Sequence, residues 1–233
     1  MEDGMNFHRK LDSKCDFCIE LEDFSFSRFS KIYGNTQRII FSNEYFNVMP
    51  TIGQLFLGSL LILPKEHYYS FAEIPEKRIE ELNKIIKHLE NKLVRFGKTV
   101  LFEHGTSPEI GGGCGIYHAH IHLVPVPSAI PPEFLLGKDI TSLQNLESAL
   151  LLGKQRKEYL LYRHVNNMFF IASPTSKLQS QHFRKKLVEF FDLKSPWDWR
   201  EYGYEKKLIE TIDYFRKNRV VLPRNFEIKE DRD

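Results

Sequence analysis

The chain has 233 residues, 42% of them hydrophobic, with 33 basic and 31 acidic side chains and a net charge of +2. This length fits one large domain or one and a half, with ample apolar side chains for a core. The balanced charge gives no basic field that would favour general binding to nucleic acid or to a membrane surface. It leaves room for a local basic pocket that binds a small phosphorylated ligand.

The N-terminal segment and the cysteines predict the compartment. Residues 1–11 are charged and lack an apolar stretch, so we expect no signal peptide. The longest apolar run, residues 55–63, is too short to span a bilayer. Three cysteines are an odd number and do not make a disulfide framework, so a reducing cytoplasm is the expected location.

The first motif is a Cys-x-x-Cys pair, Cys15 and Cys18. It could be a redox couple, half of a zinc site or a chance spacing. A thioredoxin-type couple follows a strand and opens a helix in a βαβ unit, but here no strand is predicted upstream. Half of a zinc site is the favoured interpretation, and it requires two further ligands.

The first half of the chain then predicts short strands and one long helix. The strands are expected at residues 37–42, 45–49, 55–63 and 99–103. The helix is expected at residues 76–96, where apolar side chains recur at spacings of three and four and Gly97 supplies a stop.

Residues 115–125 carry three histidines at alternate positions, His118, His120 and His122. Alternate side chains of an extended strand point to the same face, so the three imidazoles should lie in a row. The intervening residues 117, 119, 121 and 123 should form an apolar face that packs on a core. A neutral imidazole is a nucleophile, a proton carrier and a metal ligand, so we expect this strand to carry the chemistry.

A glycine-rich segment, residues 104–115, leads into this strand. Such a loop can lie flat against a ligand and direct backbone N–H groups at phosphate oxygens. It is not a P-loop, because no Gly-Lys-Ser/Thr sequence follows and a strand comes next. A flexible hairpin connection is the alternative interpretation.

After the linker-like residues 130–132 the chain predicts mixed structure. We expect helices at residues 141–152, 176–191 and 205–216, and strands at residues 158–163 and 168–172. The two strands should form a hairpin that turns at residues 165–167. In the segment 197–200, two tryptophans should pack with an Asp198–Arg200 pair.

The histidines allow two kinds of chemistry. Three histidines could hold a catalytic zinc with a bound water, or Cys15, Cys18, His67 and one strand histidine could form a closed Cys₂His₂ site. In the second case the remaining imidazoles stay free of metal. A neutral imidazole can then attack phosphorus and form a phosphoramidate, provided that its other nitrogen is held by an acceptor and that donors stabilise the phosphate charge.

Four motifs together carry a resemblance to a known family. The segment His-Ala-His-Ile-His-Leu-Val, residues 118–124, resembles the motif of the histidine triad (HIT) superfamily. Upstream, Leu-Pro-Lys-Glu-His ending at His67, the Glu-His-Gly sequence around His104, and the Cys15/Cys18 pair resemble HIT segments in matching order. The resemblance covers about residues 12–127 and is more specific than a bare His-x-His-x-His pattern.

The resemblance implies an α+β fold with an antiparallel sheet and a long packing helix, usually as a homodimer. Residues 1–127 would form the HIT-like catalytic domain. Residues 128–233 would form a mixed helical and hairpin extension packed on it near the active site. The implied activity is hydrolysis or nucleotidyl transfer at the α-phosphate of a small nucleotide-type substrate. The alternatives are a metal-dependent hydrolase with three histidine ligands, or a non-catalytic nucleotide-binding module.

The family pattern also implies roles for individual residues. His120 would be the nucleophile that becomes nucleotidylated, and His122 would contact the phosphate. In the zinc-containing branch of the family the corresponding ligands of a structural zinc are Cys15, Cys18, His67 and His118.

Substrate-binding residues are expected in the phosphate-loop region and in the extension. They are Gly113, Cys114, Gly115, His104, Gln181 and Arg184. Relatives that cleave nucleotides often have Gln or Ser where this chain has Cys114 and Gly115, and an acidic ribose ligand is missing near Thr51. The resemblance therefore does not fix a purine nucleotide as the substrate. Arg184 could clamp a phosphate and Gln181 could replace the missing polar group, unless Arg184 lies on the solvent face of an ordinary helix.

Overall fold

The computed structural model describes residues 15–34, 36–107, 109 and 116–218. In this part of the chain, eight strands form one antiparallel sheet. The strands are β1 (Phe41–Ser42), β2 (Phe46–Pro50), β3 (Leu60–Pro64), β4 (Lys98–Gly105), β5 (Ile121–Val126), β6 (Thr141–Leu143), β7 (Tyr159–Arg163) and β8 (Phe169–Ala172). The helices are α1 (Asp16–Glu22), α2 (Arg28–Tyr33), α3 (Ile79–Leu93), α4 (Pro132–Leu136), α5 (Leu146–Lys154), α6 (His182–Phe190) and α7 (Glu205–Lys217).

The strand order in the sheet is β1-β2-β3-β5-β4-β7-β8-β6, and every neighbouring pair is antiparallel. The predicted α+β class with an antiparallel sheet is therefore confirmed. Strand β4 pairs with β5 on one side and with β7 on the other. Since β7 comes from the C-terminal part of the chain, one sheet runs through both of the segments that the sequence divides at residue 127.

Helix α3 covers one face of the sheet with the predicted apolar stripe. Its buried side chains are Ile79, Leu82, Ile85, Ile86, Leu89 and Leu93. They share a core with Leu101 of β4 and with Ile121 and Leu123 of β5. Burying each such side chain contributes about 1.5–3 kcal/mol to stability. Helix α3 therefore stabilises one face of the sheet, and the opposite face remains for other contacts.

The opposite face of the sheet packs against α4 and α6. Phe102 of β4, Val124 of β5 and Tyr162 of β7 belong to this second core, together with Phe183 and Leu187 of α6. Because side chains alternate along β5, His122 lies on the same face as Val124. The C-terminal helix α6 and the histidine segment are therefore brought together on one side of the sheet.

The histidine strand is shorter than expected. β5 begins at Ile121, and residues 116–120 approach it without ladder pairing. The Ala119 N–H donates instead to the Tyr68 carbonyl oxygen at 2.7 Å. Tyr117 is 43% exposed, so its predicted place on the apolar face is wrong, whereas Ala119, Ile121 and Leu123 are buried as expected.

Four expected helices and strands have different bounds. Strand β1 covers only the last two residues of the strand expected at residues 37–42. The helix expected at residues 141–152 is wrong in its first part: β6 occupies the start, and α5 begins only after Asn145, whose side chain accepts from the Ser148 N–H at 2.8 Å. Helix α6 begins at His182 rather than near residue 176, because Gln181 adopts a left-handed conformation with φ 61°. Strand β3 covers only the second half of the strand expected at residues 55–63.

The long helix, the hairpin of β7 and β8, and the last helix agree with the sequence. Helical turns at Glu76–Arg78 and Val94–Phe96 extend α3 at both ends, and Gly97 follows with φ 138°. No helix in the described part of the chain combines the length and the apolar character needed to cross a membrane.

The buried carboxyl of Glu103 on β4 predicts a pH-dependent stability. The Phe71 N–H and the Tyr159 hydroxyl each donate to it at 2.7 Å, but burial still raises the pKa of Glu103 from 4.5 to about 7. In this range the folded chain keeps a proton that the unfolded chain releases. The free energy of unfolding is therefore expected to fall by about 3 kcal/mol as the pH rises from about 4.5 to about 7.

The substitution Glu103→Gln tests this directly, because a glutamine keeps a carbonyl oxygen for the Phe71 N–H and cannot ionise. Urea unfolding at about pH 5 and about pH 8 should show that the variant lacks the loss of stability seen in the wild type. Glu80→Gln on the exposed side of α3 is the control and should keep the wild-type pH dependence. The same pH dependence in wild type and Glu103→Gln would show that Glu103 is ionised throughout.

Candidate functional site

Four buried side chains with metal-binding atoms meet beneath the histidine segment: Cys15, Cys18, His67 and His118. The Nδ1 atom of His118 lies 3.4 Å from Cys18 Sγ and 3.7 Å from Cys15 Sγ. The Nδ1 atom of His67 lies 3.2 Å from Cys18 Sγ. All four ligand atoms lie within 4.8 Å of one another, as the proposed Cys₂His₂ site requires.

The geometry and chemistry of this cluster are compatible with zinc. Tetrahedral zinc with ordinary Zn–S and Zn–N bonds places neighbouring sulfur and nitrogen atoms about 3.6 Å apart, close to the separations seen here. Hydrogen bonds with Cys18, His118 and His67 lower the pKa of the Cys15 thiol, and a thiolate is the form that binds metal. Two thiols and two imidazoles without an open position form the donor set of a structural site.

His118 faces away from the other two histidines. Its Nε2–H donates to the Pro64 carbonyl oxygen at 2.9 Å, which leaves Nδ1 for the cysteines. Both ring nitrogens are therefore engaged on the metal-cluster side. Among the described residues, His120 and His122 do not join any group of metal-binding atoms. The arrangement does not support the alternative in which all three histidines surround one catalytic zinc.

Helix α1 connects the metal cluster to the pocket above it. Cys15 and Cys18 lie at its first turn, and Phe17 between them packs edge-on against the rings of both His118 and His120, with centroids 5.9 and 5.5 Å apart. Glu20 of the same helix forms a buried pair with Arg38 at 2.7 Å. Fixing the two cysteines therefore also fixes an aromatic wall beside His120.

His120 is held in one tautomer. Its Nδ1 lies 2.6 Å from the His118 carbonyl oxygen, and since a carbonyl only accepts, this nitrogen must carry the proton. The other nitrogen, Nε2, then carries the lone pair. Burial is the main cause that lowers the pKa of His120 to about 4, so the ring is neutral at physiological pH.

His122 lies beside His120 and is packed between aromatic rings. Its ring centroid is 5.2 Å from that of His120 and 4.6 Å from the stacked Phe102 ring. Phe102 in turn stacks on Phe183 of α6 at 4.6 Å. Burial lowers the pKa of His122 well below its usual value, and the neighbouring His120 and Arg184 add to this effect.

A pocket opens over His120 and His122, and the C-terminal extension forms one of its walls. Its lining includes His104, Gln181, His182, Phe183, Arg184 and Trp199, together with Phe17, Arg38 and Thr51. The structure thus brings together the predicted residues His104, His120, His122, Gln181 and Arg184. Gly113, Cys114 and Gly115 lie outside the described residues.

Arg184 is buried and does not lie on a solvent face of α6. Its Nε donates to the Trp197 carbonyl at 2.6 Å, and its Nη2 donates to the Gly53 carbonyl at 2.6 Å. Burial lowers its pKa to about 10, which keeps it charged at neutral pH. The remaining guanidinium hydrogens, on Nη1 above all, are the donors left for a ligand.

Gln181 mainly holds the extension together. Its amide nitrogen donates to Asp198 Oδ1 at 2.8 Å, and its carbonyl oxygen accepts from the Trp199 N–H at 3.3 Å. The carboxylate of Asp198 also accepts from the Arg200 N–H at 3.0 Å. One amide hydrogen of Gln181 remains for a ligand.

Several pocket residues were not singled out from the sequence. Arg38 and Trp199 line the pocket, and the described part of the chain offers no hydrogen-bond partner to the buried hydroxyl of Thr51. The contact of His104 Nε2 with Glu158 Oε1 at 2.7 Å, just before β7, was also not expected. Short-range periodicity cannot reveal these contacts, because each depends on which distant strand or helix becomes a neighbour.

Gly53 belongs to the loop between β2 and β3 that lines the pocket, here called the pocket loop, and it is bonded to the C-terminal extension through Arg184. Its replacement by Ala should disturb the pocket loop and the extension together. Its φ is +65°, and an added Cβ would lie 2.7 Å from Trp199 Cβ and 2.9 Å from the Tyr202 carbonyl oxygen. We expect Gly53→Ala to cost about 3 kcal/mol, combining left-handed strain with overpacking. Urea unfolding measures this loss.

Gly34→Ala is the control for backbone strain alone, because Gly34 has the same φ of +65°, with ψ −142°, and no atom of the described residues lies within 4 Å of an added Cβ. It should cost about 1–2 kcal/mol, since no overpacking adds to the strain. Equal losses for the two variants would show that the extension does not press on the pocket loop.

Comparison with known proteins gives a curated relative. A HIT-like protein of Borreliella burgdorferi, itself described as uncharacterized, is 30% identical over 76 residues. The match covers 32% of this chain and 55% of the relative, so the chain spans about half the length of the curated protein it matches. No protein-family model matches the chain.

Solved structures of HIT proteins also align with parts of the chain. A HIT-like protein involved in cell-cycle regulation from Bartonella henselae is 13% identical with a TM-score of 0.36, covering 50% of this chain and 82% of that one. A Zn-bound histidine triad family protein from Mycobacterium smegmatis is 16% identical with a TM-score of 0.33, covering 41% and 70%. TM-scores this low do not establish a common fold, so neither alignment supports a conclusion about fold or function.

Proposed function

The chain resembles the histidine triad superfamily, as the motifs predicted and the curated relative confirms, and from this premise we propose that it is a nucleotide hydrolase or nucleotidyltransferase. It acts at an α-phosphate through a covalent intermediate on His120. One observation carries the proposal: the hydrogen bond from Nδ1 of His120 to the His118 carbonyl leaves the lone pair on Nε2 of a ring that lines the pocket.

The reaction has two displacements. Nε2 of His120 forms a bond to phosphorus, the bond from phosphorus to the leaving group breaks, and its electron pair departs with that group. Water or a second acceptor then attacks phosphorus, and the P–N bond breaks with return of its electrons to Nε2. Hydrolysis and transfer differ only in which molecule attacks in the second displacement.

Donors around the pocket would stabilise the phosphate charge. Arg184 supplies a fixed positive charge, and His122 offers an imidazole beside the nucleophile. His104 and Gln181 are proposed substrate contacts, as are Gly113, Cys114 and Gly115 from the glycine-rich segment. Arg38 is less available, because Glu20 neutralises it and accepts from Nε and Nη2.

Zinc is proposed as a structural cofactor held by Cys15, Cys18, His67 and His118. When bound there it would tie α1 to the histidine segment and to His67, three residues after the end of β3. His118 would thereby be fixed as a ligand while its carbonyl orients His120. The metal supplies rigidity, and the reacting nitrogen belongs to His120.

The test is to trap the covalent intermediate. Wild-type protein is mixed with nucleoside 5′-phosphoramidates and polyphosphates carrying each common base, quenched in alkaline denaturant and analysed by peptide mass spectrometry. We expect one nucleotidyl group on His120 and release of the leaving group. Tight binding with neither adduct nor product would favour a non-catalytic nucleotide-binding module and contradict the proposal.

A homodimer in the cytoplasm, without nucleic-acid or membrane partners, remains our expectation for the assembly. Size-exclusion chromatography with light scattering measures the mass directly. A mass of one chain at micromolar concentration would contradict the dimer and leave the chemistry of His120 unaffected.

A further inference from the structure

The pocket holds a second histidine with catalytic geometry, His104, which is paired with Glu158. His104 Nε2 and Glu158 Oε1 are 2.7 Å apart, and both side chains are largely shielded from solvent. A carboxylate only accepts, so Nε2 carries a proton and Nδ1 is the nitrogen left for a ligand. The described residues provide no hydrogen-bond partner for Nδ1.

The strand register places His104 near His122, whose ring centroid lies 5.2 Å from that of the nucleophile His120. Phe102 of β4 pairs with His122 of β5, and two residues further along β4 comes His104, on the same face of the sheet. The pairing of β4 with β5 ends at Phe102 and His122, and His120 lies two residues before His122 on the segment that leads into β5. His104, His120 and His122 all line the pocket in which a phosphate would bind.

The partner of each histidine distinguishes its role. Four histidines line the pocket: His104, His120, His122 and His182. His120 bonds to a carbonyl, His122 is packed against Phe102, and His182 Nε2 donates to the Leu135 carbonyl at 2.8 Å. Among these four, His104 is the one to which the described residues give a carboxylate, and a carboxylate stabilises the protonated ring and fixes its orientation.

Building on the proposed function, we infer that His104 is the general acid that protonates the leaving group, with Glu158 as its positioning residue. In this role His104 enters the reaction as the imidazolium, with Nε2–H on Glu158 and a second proton on Nδ1. As His120 Nε2 bonds to phosphorus, the phosphorus–oxygen bond breaks, its electron pair leaves with the oxygen, and His104 Nδ1 passes its proton to that oxygen. In the hydrolytic step, neutral His104 takes a proton from the attacking water while the P–N bond breaks. His104 is thereby protonated again for the next turnover.

Aryl esters of nucleoside 5′-monophosphates, one set for each common base, test this role. A 4-nitrophenyl group leaves without protonation, whereas an unsubstituted phenyl group needs an acid. His104→Asn should lower kcat/KM for the phenyl ester by about 10²- to 10⁴-fold and for the 4-nitrophenyl ester by less than about 10-fold. Because kcat/KM reports only the steps up to release of the phenol, hydrolysis of the His120 intermediate does not affect this measurement.

Glu158→Gln should also lower kcat/KM more for the phenyl ester than for the 4-nitrophenyl ester, but by a smaller factor than His104→Asn. The imidazole of His104 stays in place in this variant and loses only the negative charge beside it. A loss of less than about 10-fold on the 4-nitrophenyl ester shows that each variant is folded. Equal losses on both esters, or no loss on either, would overturn the role of His104. Failure of wild-type protein to cleave any ester, or full activity in His120→Asn, would instead defeat the proposed function.

Discussion

His120→Gly is expected to lower kcat/KM for a nucleotide substrate by about 10⁴- to 10⁶-fold, the range found when a catalytic nucleophile is removed. The reason is that the variant loses the Nε2 lone pair of the imidazole that the His118 carbonyl orients. His118 has both nitrogens engaged with Cys18, Cys15 and Pro64. Steady-state kinetics on the nucleotide panel measures the loss.

His120→Gly also allows a second measurement, because glycine leaves the space of the imidazole ring empty. Free imidazole at millimolar concentration should enter the vacated space, attack phosphorus and restore part of the turnover in His120→Gly. His122→Asn is the comparison variant: it keeps the nucleophile and should lose only about 10²- to 10³-fold, the usual cost of one donor at a developing charge. If His120→Gly turns over substrate as wild type does, the covalent mechanism is excluded.

Removing one ligand of the metal cluster is the second prediction with a large effect. Cys18→Ser is expected to abolish stoichiometric zinc and to lower the melting temperature by at least about 10 °C, since structural zinc contributes directly to folding. Cys18 contacts both His67 and His118, so its loss also releases α1 and the Phe17 wall beside His120. Metal analysis and calorimetry provide the two measurements.

Cys114→Ser is the matched control for this prediction. Cys114 is the third cysteine of the chain, and the motif resemblance does not include it among the zinc ligands. This variant should keep its zinc and its melting temperature. A wild-type protein purified without zinc, or equal melting temperatures for the two variants, would contradict a structural metal.

Chelation separates a structural zinc from a catalytic one. Loss of activity that follows the loss of folded protein indicates the structural role. Immediate loss of activity in a protein that is still folded would favour a catalytic ion. The position of His118 among buried cysteines, with His120 and His122 outside the cluster, leads us to expect the first result.

Spacing along the chain is enough to predict the elements whose signal is local. The apolar stripe of α3 and its stop at Gly97, the hairpin of β7 and β8, and the last helix all follow from patterns within a few residues. The four metal ligands are also within reach of the sequence, because the resemblance of separate motifs groups Cys15, Cys18, His67 and His118 into one set.

Which of these segments face one another depends on the tertiary structure. Alternation along a strand predicts three histidines in a row, but the chain around His118 leaves the ladder, and His118 turns to the cysteines while His120 and His122 line the pocket. The pairing of β4 with β7 brings Glu158 to His104, and the left-handed Gln181 sets where α6 begins and so where Arg184 is buried. The physical reason is range: periodicity reports the environment of one segment, whereas the pocket depends on burial and hydrogen bonds between residues more than 50 positions apart, such as Arg184 and Gly53.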